Sequence, residues 1–179
     1  MSFFSRWLRS ITVDEVKIVK PFVFDPVDEG ETITLMEDAC VELAARRFVE
    51  RHGKWKKYPV KIVANFKAGF KSDGASTVKA HVNGFVPAYI AGDDAYNAAP
   101  FIHDGLYIKS GRIDGAKLSR EECDDVLRGI WRESGRLNRF LAGIADIGIW
   151  VVARGKNHWG NDGYKCGDRF SATLTYLDD

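Results

Sequence analysis

Two capping boxes constrain the fold of this chain more than any other feature. Thr34 with Glu37 forms one, and Ser119 with Glu122 forms the other. In such a box the hydroxyl accepts from the amide three residues on, and the carboxylate returns to the cap amide. Two orphan donors at a helix start are thereby satisfied. The first box predicts a helix over Thr34 to Arg51, with Val41, Ala44, Ala45 and Phe48 as its buried stripe and Gly53 as its stop. The second predicts a helix over Ser119 to Ser134. Two further helices follow from the pattern: Pro100 to Lys109, with proline in the first turn, and the apolar run Leu137 to Ala153.

Strands are expected around these helices. Val16 to Phe24 alternates in part, and Pro21 suits an edge. Tyr58 to Phe70 holds one or two more, and Ser171 to Leu177 reads as a closing strand. Ser72 to Asn97 has turn residues throughout and reads as a long functional loop. The expected architecture is one α+β domain over residues 1–179. Strands and one helix fill 1–70. They pack on a mainly helical half of three helices that carries the motif-bearing loop, 71–155, followed by a tail, 156–179.

The 179 residues suffice for one sizeable core. A formal net charge of +1 supplies no field for polyanions, so no nucleic-acid partner is expected. Cys40, Cys123 and Cys166 are too few and too scattered for a disulfide framework. The N-terminal stretch has arginines inside its apolar part, unlike a secretory signal. Phe140 to Ala153 is too short to span a bilayer and contains Asp146. These features predict a soluble protein made in a cytoplasm, with no signal peptide and no transmembrane helix.

The chemistry concentrates on few residues. On the Ser119 helix, successive residues turn by about 100°. Cys123, Val126, Leu127, Ile130 and Trp131 then share a face with Asp124 at its edge, while Asp125 is expected to point to solvent. On the Pro100 helix, His103 and Tyr107 are four apart and stack on one side, with Asp104 one step round. A histidine beside a buried carboxylate is held in one tautomer and suits general-base work. The loop Lys71-Ser72-Asp73-Gly74-Ala75-Ser76 adds Asp73 and a flexible glycine. Asp73, a loop carbonyl and Asp104 would form an all-oxygen site of the kind calcium takes. Each residue also has a bland role. His103 with Asp124 suits a structural pair, Asp73 an Asx-turn, and Asp104 a helix-surface charge.

The ordered pattern S-D-G-A-S, H-D-x-L-Y and S-R-x-E-x-D resembles an uncharacterised protein family of tailed phages and prophages, over roughly Val63 to Trp150. More weakly, it resembles the active site of phospholipase A2, especially the prokaryotic form. That resemblance implies that His103 activates the attacking water, that Asp124 orients His103, and that Tyr107 bonds to Asp124. It implies that Asp73, the Gly74 carbonyl and Asp104 hold calcium. The function so implied is a calcium-dependent hydrolase of a phospholipid or related ester, acting at a membrane surface. Pro100 stands where that enzyme family has a cysteine. The alternative is a phage virion structural or accessory protein, bound to other virion or host proteins, with a non-catalytic relic of the site.

Three segments stand outside these motifs. Lys54-Trp55-Lys56-Lys57-Tyr58 mixes bases and aromatics and suits either a solvated turn or an anionic surface. His158 to Gly163 reads as a turn, and Phe3 to Leu8 as a short amphipathic turn.

Overall fold

In the computed structural model of the chain, residues 10–24, 32–72, 94–134, 159–163 and 165–177 are described. In chain order the elements are β1 (Ile11–Lys20), β2 (Ile33–Thr34), β3 (Ala39–Arg51), β4 (Lys54–Phe66), β5 (Lys71–Ser72), α1 (Asp94–Ile108), β6 (Arg112–Ile113), β7 (Ala116–Lys117), α2 (Arg120–Glu133) and β8 (Phe170–Tyr176). One antiparallel sheet runs in the order β1-β3-β4-β8, with small pairs β2-β5 and β6-β7 beside it. Among the described residues no helix is long and apolar enough to cross a membrane.

The expected α+β fold with a mainly helical half is overturned. Of the described residues 47% are in strands and 28% are helical, and they contain two α-helices. The segment expected as the Thr34 to Arg51 helix is the centre of the sheet. Thr34 sits in β2 opposite Lys71, and Glu37 follows in a bend. From Ala39 the chain pairs with β4 at every position from Ala39–Phe66 to Arg51–Lys54. After Ala39 and Cys40 the buried residues are Val41, Leu43 and Ala45, at period two, against Ala64, Ile62 and Val60. Glu42, Leu43, Ala44, Ala45 and Arg46 are good helix formers, but a weak local preference yields to thirteen rungs of pairing. Gly53 ends the strand rather than a helix. His52 and Gly53 both take positive φ, 52° and 71°, as a two-residue hairpin turn requires.

Other boundaries shift too. The first strand is Ile11–Lys20, not Val16 to Phe24. Helix α1 begins at Asp94, so Asp94 to Asn97 belong to it rather than to a loop, and Pro100 lies inside the helix. Proline has no N–H to donate to the carbonyl four residues back. That carbonyl, on Tyr96, instead accepts from Trp131 Nε1 at 3.2 Å. The two rings stack with centroids 5.6 Å apart. The helix expected at Leu137 to Ala153 and the Phe3 to Leu8 turn lie outside the described residues.

Both helices cover the apolar face of the sheet. At Gly129 of α2, a methyl group would come within 2.6 Å of Val13 on β1. At Gly105 of α1, one would come within 2.5 Å of the Phe170 ring on β8. Glycine thus lets each helix backbone sit close on the sheet. Phe66, Phe70, Phe101 and Phe170 pack together beneath α1, with ring centroids 5.1 to 6.3 Å apart.

Candidate functional site

Helix α2 opens as the sequence indicates. Ser119 is its N-cap, and both halves of the Ser119–Glu122 capping box are formed. Its first two turns then send three carboxylates to three neighbours. Glu122 takes a two-pronged ion pair from Arg47 of β3, at 2.7 and 3.1 Å. Asp124 faces α1. Asp125, expected to point to solvent, is buried instead. Its Oδ2 accepts from Ser10 N and Ser10 Oγ, both at 2.9 Å, and from Ile11 N at 3.3 Å. Its Oδ1 accepts from Arg128 at 2.6 Å. The helix angle correctly separates Asp125 from Asp124, but the start of β1 covers the side to which Asp125 turns.

Asp124 is the centre of the cluster. Its Oδ1 lies 2.9 Å from His103 Nε2 and accepts from Tyr107 Oη at 2.6 Å. The His103 and Tyr107 rings lie 4.1 Å apart, as the one-turn spacing on α1 requires. Arg120 Nε donates to Tyr107 Oη at 3.1 Å, so the phenol is both donor and acceptor. Behind it, Trp159 packs edge-on against Tyr107 at 5.1 Å, and Gly160 N donates to the Tyr107 carbonyl. Arg120 and Trp159 were missed by the sequence reading. Arg120 sits inside the S-R-x-E-x-D pattern, but Trp159 is brought in only by the return of the chain.

The other imidazole nitrogen, Nδ1, is 3.6 Å from Asp104 Oδ1. Asp104 Oδ2 accepts from Ser72 Oγ at 2.6 Å. This bond ties α1 to β5 at the residue immediately before Asp73. Asp73 and Gly74 themselves lie outside the described residues. Among the described residues no three His, Cys, Asp or Glu side chains converge as a metal site would need. The described part of the calcium set expected from the sequence is therefore the Asp104 carboxylate, a hard oxygen donor of the right kind.

Electrostatics set the state of the imidazole. Burial opposes a charge on His103. The hydrogen-bonding and coulombic pull of Asp104 and Asp124 outweighs it, and the pKa is pushed up to about 9. Burial also pushes the Tyr107 phenol up, and the Asp124 charge adds to the effect. Tyr107 is thus a fixed hydrogen-bond donor at any physiological pH. Cys40, Cys123 and Cys166 are all free and buried. Burial raises each thiol, Cys123 most strongly, which leaves them poor nucleophiles.

Asp162 closes the last turn, accepting from Cys166 N and Gly167 N at 2.8 Å each. Its carboxylate is thereby used in shaping the turn expected at His158 to Gly163, of which His158 lies outside the described residues.

Fold and site together define an antiparallel-sheet protein whose two described helices clamp a histidine–aspartate–tyrosine cluster between them. A family model described as "Protein of unknown function (DUF1353)" matches residues 44–140, more than half of the chain. The chain belongs to that family. His103, Asp104, Tyr107 and Asp124 all fall within the matched span, as does Asp73. No curated protein and no solved structure gives a match.

Proposed function

We propose that the protein is a phage- or prophage-encoded, calcium-dependent hydrolase of a phospholipid or related ester, working in the manner of phospholipase A2. The observation that carries this reading is the shared Asp124 oxygen. It holds His103 Nε2 on one side and Tyr107 on the other, which leaves Nδ1 as the nitrogen able to take a proton. The order of the S-D-G-A-S, H-D-x-L-Y and S-R-x-E-x-D motifs supports the phage assignment.

In this mechanism calcium held at Asp104 would offset the carboxylate charge that favours the imidazolium. The neutral His103 Nδ1 removes a proton from water as its oxygen attacks the ester carbonyl. The same nitrogen then returns the proton to the leaving alkoxide, yielding a carboxylic acid and an alcohol. Asp124 stabilises the imidazolium between the two steps. Tyr107, itself held by Arg120, prevents Asp124 from rotating. Asp104, Asp73 and the Gly74 carbonyl would hold the calcium, which supplies polarisation of the ester carbonyl and stabilisation of its developing charge.

The test is fatty-acid release from phospholipid vesicles, with calcium and with a chelator. Calcium-dependent release that disappears in His103→Ala supports the reading. No release in either condition sinks it.

A second reading, a phage virion or accessory protein with a structural relic of the site, is favoured by one observation. Asp104, Asp124 and Tyr107 all have hydrogen-bond partners inside the protein, from Ser72, His103 and Arg120. Such a network locks two helices whether or not it catalyses. On that reading His103→Ala lowers the melting temperature and changes no hydrolytic rate.

A further inference from the structure

The β3–β4 hairpin is longer than the sheet that holds it. Strand β1 pairs with β3 only as far as Arg47, and β8 pairs with β4 only as far as Val60. One more backbone bond flanks each side, Phe48 N to Ser10 O and Leu177 N to Pro59 O. Beyond that, the rungs from Val49–Lys56 to Arg51–Lys54 have no flanking strand among the described residues. Three rungs at about 3.3 Å each carry the tip roughly 10 Å past the last flanking bond.

This ribbon has an unusual surface for an element with no flanking strand among the described residues. Trp55 is 63% exposed, more than any other large apolar side chain among the described residues. Its ring packs on Phe48 at 5.6 Å, so two aromatics share the outer side of the tip. Lys57 shares the face of the two aromatics, while Lys54 and Lys56 lie on the opposite face, where Lys56 Nζ sits 4.5 Å from the Tyr58 ring. All three lysines are exposed, and Glu50, paired with Trp55, is the single carboxylate between residues 50 and 57. Lys57 Nζ reaches only a hydroxyl, Thr12 Oγ1, which leaves its charge uncompensated by that contact.

We propose that this hairpin tip docks the protein on an anionic phospholipid surface. Indole rings settle at the headgroup level, with the apolar body buried and the N–H in contact with water. The flanking lysines would then meet lipid phosphates and carboxylates. A nucleic acid fits less well: the cations sit on a protruding point instead of along a groove that tracks a backbone, and the whole chain carries only +1. The proposal concerns binding and is independent of whether His103 hydrolyses anything.

Co-sedimentation of the full chain with vesicles tests it, in chelator and at about 0.1 M salt. Vesicles of phosphatidylcholine alone are compared with vesicles containing phosphatidylserine. Binding is expected to the anionic vesicles, to weaken at high salt, and to fall about tenfold in Trp55→Ala. The double variant Lys54→Gln with Lys57→Gln should lose on the order of 25-fold, about fivefold per cation. His103→Ala should bind as the unaltered protein does, which separates this inference from the hydrolase reading. The proposal is overturned if the protein stays in the supernatant with anionic vesicles. It is also overturned if correctly folded tip variants bind unchanged, or if a single-stranded oligonucleotide binds more tightly than the vesicles.

Discussion

Tyr107 donates a 2.6 Å hydrogen bond to the same Asp124 oxygen that meets His103 Nε2 at 2.9 Å. Two residues one turn apart on α1 therefore converge on a single atom of α2. One oxygen held by two donors fixes the carboxylate plane, and with it the imidazole orientation. The short Tyr107 bond is charge-assisted and buried, where such bonds are strongest.

Tyr107→Phe removes that bond and leaves Arg120 Nε without its phenol acceptor. The expected loss is about 1.5–3 kcal/mol of stability, the usual range for a hydrogen bond to a charged group. Urea denaturation with an unchanged m-value checks it. If the hydrolase reading is right, catalytic turnover should fall as well, because Asp124 gains freedom to turn away from His103.

The imidazole predicts a pH dependence of stability. Its pKa is raised from 6.5 to about 9 in the folded state. A raised pKa means that the folded form binds the proton more tightly than the unfolded form does. The stabilisation from His103 is thus fully present below pH 6.5 and is lost as the pH rises through 9. Melting temperature should fall across this window, and His103→Gln should flatten the fall. A slope unchanged by that substitution would contradict the assigned ion pairing.

Asp125→Asn tests whether α2 anchors the start of the sheet. The carboxylate accepts from Ser10 and Ile11 at the head of β1 and from Arg128 on its own helix. An amide keeps the shape but cannot accept at both ends, so the expected cost is about 1–3 kcal/mol. Hydrogen exchange should quicken first at the Ser10 and Ile11 amides, with the β3–β4 ladder unaffected.

Gly129→Ala sets two effects against each other. Alanine favours the helix by about 1 kcal/mol over glycine. The added methyl would lie 2.6 and 2.8 Å from Val13 Cγ2 and Cβ, and the strand cannot retreat without moving its backbone. Overpacking of this kind costs about 1–3 kcal/mol, so the net change is destabilising. Adding Val13→Ala should recover part of the loss, and a double-mutant cycle measures the coupling.

The contact of His103 and Tyr107 with Asp124 was legible because its rules are local. Ser119 and Glu122 satisfy each other within one turn, so α2 begins where the sequence indicates. The four-residue step from His103 to Tyr107 and the choice of Asp124 over Asp125 follow from helical angle alone. The burial of Asp125 was not legible, because Ser10 and Ile11, which cover it, are more than a hundred residues away in the chain. Trp159 behind Tyr107 also escaped, because a later part of the chain brings it there.

The sequence by itself determined which side chains share the α1 and α2 faces, because helix geometry depends only on spacing. Only the tertiary structure decided that Ala39–Arg51 is a strand. Val41, Ala45 and Phe48 fit a helical stripe, and Val41, Leu43 and Ala45 fit a strand face, so periodicity alone is ambiguous there. The thirteen rungs to Lys54–Phe66 settle it, and local composition cannot report a hydrogen bond whose partner lies across a turn. The same pairing extends the hairpin past its described neighbours and leaves Trp55 exposed near its tip.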